Sequence, residues 1–186
     1  SQPFTHVIMN PPYKKIQSGS KHRLLLRSVG IATSNLYTAF MALAIKQLSP
    51  DGQLVAIVPR SFCNGPYFKP FRTLLLGETA LTHLHVFGSR TKAFKQDEVL
   101  QENIILKAVK GAQPGDVAIT SSDGPDFELD EESGTYATGD MTERHVPYSA
   151  VVKPDDPDQF IHVASTSYDQ RVVDEIAVFN EPLHAL

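Results

Sequence analysis

Phe4–Tyr13 reads Phe-Thr-His-Val-Ile-Met-Asn-Pro-Pro-Tyr, a short apolar run that ends in two prolines between an asparagine and a tyrosine. Residues 4–9 predict a buried β-strand, because the run is apolar and stops at a turn signal. The two prolines fix their φ angles and lack an N–H, and Asn10 is held extended because it precedes a proline. The sequence therefore predicts a stiff loop, Asn10–Tyr13, at the carboxyl end of a central parallel strand, where open α/β sheets bind ligands.

The loop offers two fixed hydrogen-bond acceptors, the side-chain oxygen of Asn10 and the carbonyl oxygen of Pro11. An exocyclic amine such as N6 of adenine is a poor nucleophile, because its lone pair is delocalised into the ring. Acceptors that hold both amine hydrogens localise this lone pair and stabilise the positive charge that grows as the nitrogen attacks a methyl sulfonium. Tyr13 adds a flat ring on which an extruded base can stack. We therefore predict an amine methylation site whose catalytic residues are Asn10, Pro11, Pro12 and Tyr13.

Four further blocks of sequence follow the motif, in the order Asn35–Phe40, Leu48–Pro59, Arg60–Phe62 and Val99–Leu106. With these blocks the chain resembles the gamma-type N6-adenine DNA methyltransferases of restriction-modification or phage-defence enzymes. The resemblance covers residues 4–111 and implies S-adenosylmethionine as the methyl donor and a flipped adenine in double-stranded DNA as the substrate. It also implies a second aromatic residue, from a later loop, on the other face of the base. Phe94 is the best positional match for that stacking residue.

The family's glycine-rich cofactor loop, with its acidic partner for the ribose, has no counterpart in this sequence. No Gly-x-Gly occurs, and only nine residues precede Asn10. We interpret the chain as a fragment of a larger enzyme, cut just before its fourth strand, so that the cofactor-binding residues stay unassigned. Such a fragment is expected to bind S-adenosylmethionine weakly or not at all and to be inactive alone. A strand edge without its neighbour also favours self-association.

Charge is distributed unevenly along the chain. Residues 1–50 contain six basic and no acidic side chains, whereas residues 111–186 contain three basic and sixteen acidic ones. A basic methyltransferase segment fits a surface that meets phosphates, although the net charge of −4 conceals it. The side chains predicted to contact the DNA backbone are Lys14, Lys15, Lys21, Arg23 and Arg27.

The remaining pattern alternates helices and strands. It predicts helices at Asn35–Leu48 and Phe68–Leu76, and strands at Gln53–Val58, Thr82–Phe87 and Asn103–Lys110. Residues 14–30 read as a basic loop. This order predicts an α/β fold, the C-terminal half of a Rossmann-like methyltransferase sheet. The sheet is expected to be mostly parallel, with an antiparallel last strand as an open alternative.

From Gly111 the sequence becomes acidic and rich in Gly, Asp, Ser and Pro, which predicts an irregular acidic extension. Residues 1–111 are therefore assigned to the catalytic half-domain, and residues 112–186 to a linker that leads toward a target-recognition region. Within this extension, Tyr168–Asn180 again has helical spacing.

Composition argues against several other classes. A single cysteine, Cys63, excludes a disulfide within the chain and favours a reducing, cytoplasmic location. No apolar run approaches the length of about 18 residues that a membrane helix needs. His83 and His85 share a strand face, but no cysteine or carboxylate set stands at ligand spacing, so no metal site is predicted.

Two other functions remain open on the sequence. Protein-glutamine and RNA amino-methyltransferases use the same Asn-Pro-Pro-Tyr motif, because a side-chain amide poses the same lone-pair problem. A non-catalytic DNA-binding or assembly module with a degenerate methyltransferase fold is the second alternative. The basic stretch after Tyr13 and the extension beyond residue 111 favour a large DNA enzyme, and the intact motif argues against degeneration.

Overall fold

A computed structural model of the chain describes residues 3–87, 102–122, 127–130, 135–138 and 141–163. The strands in these ranges are β1 (Phe4–Met9), β2 (Leu48–Pro59), β3 (Thr79–Phe87), β4 (Asn103–Lys110), β5 (Val117–Ser122), β6 (Phe127–Asp130), β7 (Thr135–Thr138) and β8 (Thr142–Val146). The α-helices are α1 (Lys21–Ser28), α2 (Leu36–Gln47), α3 (Lys69–Glu78) and α4 (Tyr148–Val151). Two short 3₁₀ turns, Arg60–Phe62 and Pro66–Phe68, lie between β2 and α3.

Six of these strands form one sheet in the order β1-β2-β4-β3-β5-β8, and β6 pairs with β7 separately. β1 is parallel to β2, β4 is antiparallel to both β2 and β3, and β5 is parallel to β3 and antiparallel to β8. Four strands therefore run in one direction, and β4 and β8 run against them. The predicted α/β fold is confirmed, and Asn103–Lys110 enters antiparallel, but the sheet is mixed, because two of its five neighbouring strand pairs are parallel and three are antiparallel.

Helices α2 and α3 pack against each other and cover one face of the sheet. The strand residues that point to this face are fully buried, among them Leu54, Ala56 and Val58 on β2 and Ile104, Leu106 and Ala108 on β4. Burial of each larger aliphatic side chain stabilises the fold by about 1.5–3 kcal/mol. The residues that alternate with them, such as Val55 and Ile57, are only partly buried on the opposite face. The core thus lies on the helix side of the sheet.

The predicted basic loop over residues 14–30 is wrong for Lys21–Ser28, which form α1. The helix begins after Ser20, whose side-chain oxygen accepts a hydrogen bond from the Arg23 backbone N–H at 3.4 Å. Leu26 packs against the core and anchors the helix. The Ser20 cap and the packing of Leu26 therefore support a helix where Ser18 and Gly19 predicted a loop.

The prediction that residues 4–9 form a buried, central strand is wrong within the described part of the chain. β1 lies at the edge of the sheet with β2 as its one neighbour there. Its Phe4 and Ile8 side chains are 53% and 85% exposed. An apolar sequence predicts extended structure, but burial depends on a second neighbour and on cover for both faces. The parallel direction of β1 agrees with the prediction.

The prediction of an irregular extension from residue 112 is wrong for five segments, because β5 and β8 join the sheet, β6 pairs with β7, and α4 is a short helix. Gly111, with φ of 71°, makes the turn after β4. The chain then returns to place β5 beside β3. A domain boundary at residue 111 stays a prediction. The predicted helix at Tyr168–Asn180 lies outside the described residues.

None of the described helices is long and apolar enough to cross a membrane. The same ranges contain no group of three His, Cys, Asp or Glu side chains that could hold a metal ion.

Candidate active site

The Asn10–Tyr13 loop leaves the sheet where β1 ends. Met9, the last residue of β1, pairs with Ala56 of the parallel strand β2, which continues to Pro59 before the turn at Arg60–Phe62. The loop and this turn therefore lie at the same carboxyl edge of the sheet. The predicted placement of the motif at a strand's carboxyl end is confirmed.

Within the motif, Pro11 is buried, whereas Asn10, Pro12 and Tyr13 are exposed. The Tyr13 hydroxyl donates toward two oxygens, Oδ1 of Asn10 at 3.1 Å and the carbonyl oxygen of Ile57 at 3.2 Å. Partial burial raises the pKa of Tyr13, so its hydroxyl stays a donor. These bonds tie the tyrosine both to its own motif and to the end of β2.

Tyr37, near the start of α2, supports the Tyr13 ring from behind. The two ring centroids are 6.2 Å apart and the rings are nearly perpendicular, which is a favourable edge-to-face geometry. The Tyr37 ring also lies 5.8 Å from that of Phe68, and its hydroxyl shares a 3.0 Å hydrogen bond with the Ser61 hydroxyl. Tyr37 is thus a buried link between the motif and the turn after β2.

Backbone bonds hold the motif loop against the start of α2. The Leu36 N–H donates to the Lys14 carbonyl at 2.8 Å, and the Ile16 N–H donates to the Ser34 carbonyl at 2.7 Å. These bonds place the residues that follow Tyr13 beside the first turn of α2. The motif is therefore fixed at both of its ends.

Residues far away in the sequence hold the turn after β2 in place. The Arg60 guanidinium contacts the Glu102 carboxylate at 3.3 Å and donates to the Val163 carbonyl at 2.7 Å. The Ile161 N–H donates to the Cys63 carbonyl at 2.9 Å. Burial raises the pKa of the Cys63 thiol to about 12, so it is an inert packing group and not a nucleophile.

The predicted DNA-contacting side chains lie on the segment that follows the motif and on α1. Lys14, Lys15, Lys21 and Arg27 are exposed, and Arg23 is partly buried. The Arg23 guanidinium donates to the Ser18 hydroxyl at 3.4 Å. The solvent-exposed side chains are available to phosphates, while their contact with DNA stays a prediction.

Phe94, the predicted second stacking residue, lies outside the described residues. The strands on either side of its segment, β3 and β4, end and begin at the carboxyl edge that carries Asn10–Tyr13. Near the end of β3, His85 hydrogen-bonds the hydroxyls of Thr120 and Ser122 at 2.8 and 3.1 Å. Burial lowers the pKa of His85. We therefore read it as a neutral residue that packs between β3 and β5.

Three parts of this site were not predicted from the sequence: the Ile57 carbonyl, the Ser61 hydroxyl and the supporting role of Tyr37. Tyr37 is buried on α2, and only the folded arrangement brings it against Tyr13. The signal available in the sequence was the Asn35–Phe40 block itself, which places a tyrosine immediately after a helix start.

The chain is similar to known modification enzymes over most of its length. It is 49% identical over 166 residues to the type II methyltransferase M.BsuBI of Bacillus subtilis, a match that covers 89% of this chain and 31% of M.BsuBI. It is 44% identical over 175 residues to the type II methyltransferase M.PstI of Providencia stuartii, covering 94% of this chain and 32% of M.PstI. The chain thus spans about a third of the length of these relatives.

The fold also matches a solved methyltransferase structure. A Listeria monocytogenes protein assigned to the class I S-adenosylmethionine-dependent methyltransferases superposes with a TM-score of 0.53 at 13% identity, covering 72% of this chain and 40% of that one. The model of the Eco57I restriction-modification methylase family matches residues 1–94, which include β1, the Asn10–Tyr13 loop, α2 and β2. On this match, the chain belongs to the Eco57I restriction-modification methylase family.

Proposed function

We propose that this chain is the part of a site-specific DNA methyltransferase that holds the N6 amine of a flipped adenine for methylation, within a restriction-modification system. The single observation that carries this proposal is the place of the Asn10–Tyr13 loop at the carboxyl edge of the sheet, where an exposed Asn10 lies beside Tyr13. Asn10 Oδ1 and the Pro11 carbonyl belong to one stiff loop, and the Tyr13 ring stands beside them with Tyr37 behind it.

In this proposal the two acceptors take the two amine hydrogens and favour a tetrahedral nitrogen. They stabilise the charge that develops on it in the transition state more than they stabilise the bound base. Tyr13 stacks on one face of the base, and Phe94 is proposed for the other face. The exposed side chains of Lys14, Lys15, Lys21 and Arg27, together with Arg23, would contact phosphates of double-stranded DNA.

S-adenosylmethionine is the proposed methyl donor. The residues described in the structure do not fit a complete site for it, because none of their glycines forms a glycine-rich turn after a strand and no acidic side chain follows β1 or β2 at the carboxyl edge. The residues that hold the donor therefore stay unassigned. We propose instead that the described residues bind and orient the amine.

The exposed edge of β1 supports a further element of the proposal, self-association of this chain in isolation. Ile8 is 85% exposed on a strand that has a free edge among the described residues. Methylation of a protein glutamine or of RNA, and a non-catalytic binding role, are outcomes that the experiment below distinguishes.

The deciding experiment uses the complete methylating protein that contains this sequence. DNA treated with the protein and S-adenosylmethionine is digested to nucleosides, and mass spectrometry identifies the methylated base. We expect N6-methyladenine. Asn10→Ala should lower kcat by about 100-fold or more while largely sparing DNA binding, because the lost acceptor acts mainly in the transition state.

Tyr13→Ala should be milder, since one stacking face contributes about 1–3 kcal/mol. Gln47→Ala, an exposed change at the far end of α2, is the matched control and should leave methylation unchanged. Normal methylation of adenine by the Asn10→Ala variant would refute the assigned mechanism. Methylation confined to RNA or to a glutamine peptide would refute the assigned substrate.

A further inference from the structure

Arg72, on α3, is the one charged side chain that is fully buried among the residues the structure describes. A guanidinium loses strong hydration when it is buried, so such a group persists only where its donors are satisfied. The donors of Arg72 are taken by backbone carbonyls. This choice of partners means that the residue holds chain segments in place, while the nearby Asp158 and Asp156 carboxylates favour its charge.

The carbonyls belong to two segments that are distant in sequence. Nη1 of Arg72 donates to the backbone carbonyl oxygens of Phe62 at 2.9 Å and of Gly65 at 2.8 Å. Both residues belong to the turn after β2, taken here as residues 60–65. Nε and Nη2 donate to the Asp158 carbonyl at 3.0 and 2.8 Å. The Phe160 ring lies under the guanidinium, 5.0 Å from Cζ to its centroid. A planar fork of fixed donors therefore joins the turn to the segment near residue 160.

The turn that Arg72 holds is tightly closed. The Gly65 N–H donates to the Ser61 carbonyl at 3.0 Å. A Cβ at Gly65 would lie 2.7 Å from that carbonyl and 2.8 Å from the Phe68 ring. The turn has little room to rearrange around Ser61, so fixing the carbonyls of Phe62 and Gly65 also fixes the Ser61 side chain.

From this turn, direct contacts lead to the motif. The Ser61 hydroxyl bonds the Tyr37 hydroxyl at 3.0 Å, and the Phe68 ring lies against Tyr37. Tyr37 stands edge-on to Tyr13, whose hydroxyl is 3.1 Å from Asn10 Oδ1. Each step is a hydrogen bond or a ring contact between neighbouring side chains.

We propose that Arg72 is a positioning residue for the methyl-transfer site. By holding the turn after β2, it sets the position of Tyr37 and, through Tyr37, the position of the Tyr13 ring beside Asn10. The catalytic consequence of this role rests on the proposed function. The structural consequence, a displaced Tyr13, holds whether or not the protein methylates DNA.

The first test therefore measures Tyr13 directly in this chain. With ring-labelled tyrosine, the six tyrosines give NMR signals that single Tyr→Phe variants assign. Arg72→Met keeps the length of the side chain and removes every donor, so the signals of Tyr13 and Tyr37 should both shift. The control is Lys69→Met, which removes the exposed Lys69–Asp158 ion pair of 3.0 Å and should shift neither signal.

Unchanged Tyr13 and Tyr37 signals in a folded Arg72→Met variant would overturn the proposal. If Arg72→Met does not fold, Ser61→Ala is the alternative test. It removes the Ser61–Tyr37 hydrogen bond at an exposed residue and leaves the buried Arg72 in place. A shifted Tyr13 signal in Ser61→Ala supports the path, and an unshifted one overturns it.

The second test uses the complete methylating protein. Arg72→Met should lower kcat on the order of 10- to 100-fold, because a small misplacement of a positioning group slows a reaction by that order. KM for DNA should stay within about twofold, because the phosphate contacts are untouched. Arg72→Lys, which keeps a cation able to reach carbonyls, should restore part of the rate. A variant with a raised KM for DNA and an unchanged kcat would overturn the proposal.

Discussion

At the scale of single residues, one hydroxyl hydrogen on Tyr13 is shared between Asn10 Oδ1 and the Ile57 carbonyl, at 3.1 and 3.2 Å. An amide oxygen has two lone pairs, so Asn10 can accept from Tyr13 and still keep one acceptor position for an amine. Under the proposed function, the tyrosine then has two roles. Its hydroxyl orients the asparagine before a base arrives, and its ring stacks on the base afterwards.

Two buried weak acids beside this site, Tyr37 and Cys63, predict a loss of stability in alkali. Burial raises the pKa of Tyr37, with the nearby Cys63 adding to the rise and the bond from Ser61 opposing it. Burial raises the pKa of Cys63 to about 12. Between the ordinary pKa and the raised one, the unfolded chain releases a proton that the folded chain keeps. The free energy of unfolding should therefore fall as pH rises above about 9, where a free thiol ionises.

Urea unfolding between about pH 7 and 11 measures this effect. Relative to the unmodified chain, the Cys63→Ala variant should lose less stability from about pH 9 upward, and the Tyr37→Phe variant from about pH 10 upward. Tyr67→Phe removes a hydroxyl on a side chain that is 83% exposed and serves as the control, with an unchanged profile expected. Equal slopes in all four proteins would contradict the prediction.

At the scale of elements, the same Gly→Ala change predicts opposite effects at two glycines. Gly65→Ala puts a Cβ 2.7 Å from the Ser61 carbonyl, which is backbone and cannot move away cheaply. We expect a destabilisation of about 1–3 kcal/mol, the usual range for overpacking. Gly77 lies inside α3, and a Cβ added there would meet no atom within 4 Å. Gly77→Ala should therefore stabilise the chain by about 0.5–1 kcal/mol.

Denaturant unfolding of the two glycine variants under the same conditions measures the change in the free energy of unfolding for each, and so its sign. The helix change also controls for the general effect of adding a methyl group. A Gly65→Ala variant as stable as the unmodified chain would mean that the turn after β2 can relax. In that case its value as a rigid support for Tyr37 would be lost.

Elements with a strong local signal were predictable from the sequence, and those that depend on neighbours were not. The helix predicted at Asn35–Leu48 is observed at Leu36–Gln47, because its apolar spacing acts locally, and β2 follows it directly at Leu48. Helix α1 was not predicted, because Ser20 follows Ser18 and Gly19 as in a flexible loop, although it is also a good N-cap. β5 was not predicted because its short apolar run lies among Gly, Pro and Asp.

The same division holds for the candidate site. The Asn10–Tyr13 loop was placed correctly at a strand's carboxyl end, because prolines and a preceding apolar run act on the backbone within a few residues. The support behind it could not be predicted. Tyr37 lies against Tyr13, and Arg72 meets Asp158 across 86 residues, through contacts that exist only after the sheet has formed. The spacing of residues along the sequence does not predict such contacts.

At the scale of the whole molecule, the described sheet has unequal faces and an open edge. One face is closed by α2 and α3, and the edge formed by β1 carries apolar side chains into solvent. Natural edge strands are commonly protected by charges, prolines or bulges. β1 has no Asp, Glu, Lys or Arg among its six residues, and after one register irregularity between Phe4 and His6 it pairs regularly from His6 to Met9.

This edge predicts reversible self-association of the isolated chain. Sedimentation velocity over a series of concentrations should show a monomer that converts to a dimer as concentration rises. Ile8→Lys places a charge on the most exposed apolar position of β1 and should shift the equilibrium toward monomer, because a buried lysine in a paired edge has no partner. Tyr67→Lys, at a position 83% exposed on a different element, adds the same charge away from the edge and should leave the equilibrium unchanged.

If the two lysine variants weaken association equally, net charge is responsible and pairing through β1 is excluded. If the unmodified chain stays monomeric up to its solubility limit, the exposed apolar edge is tolerated in solution and the prediction fails.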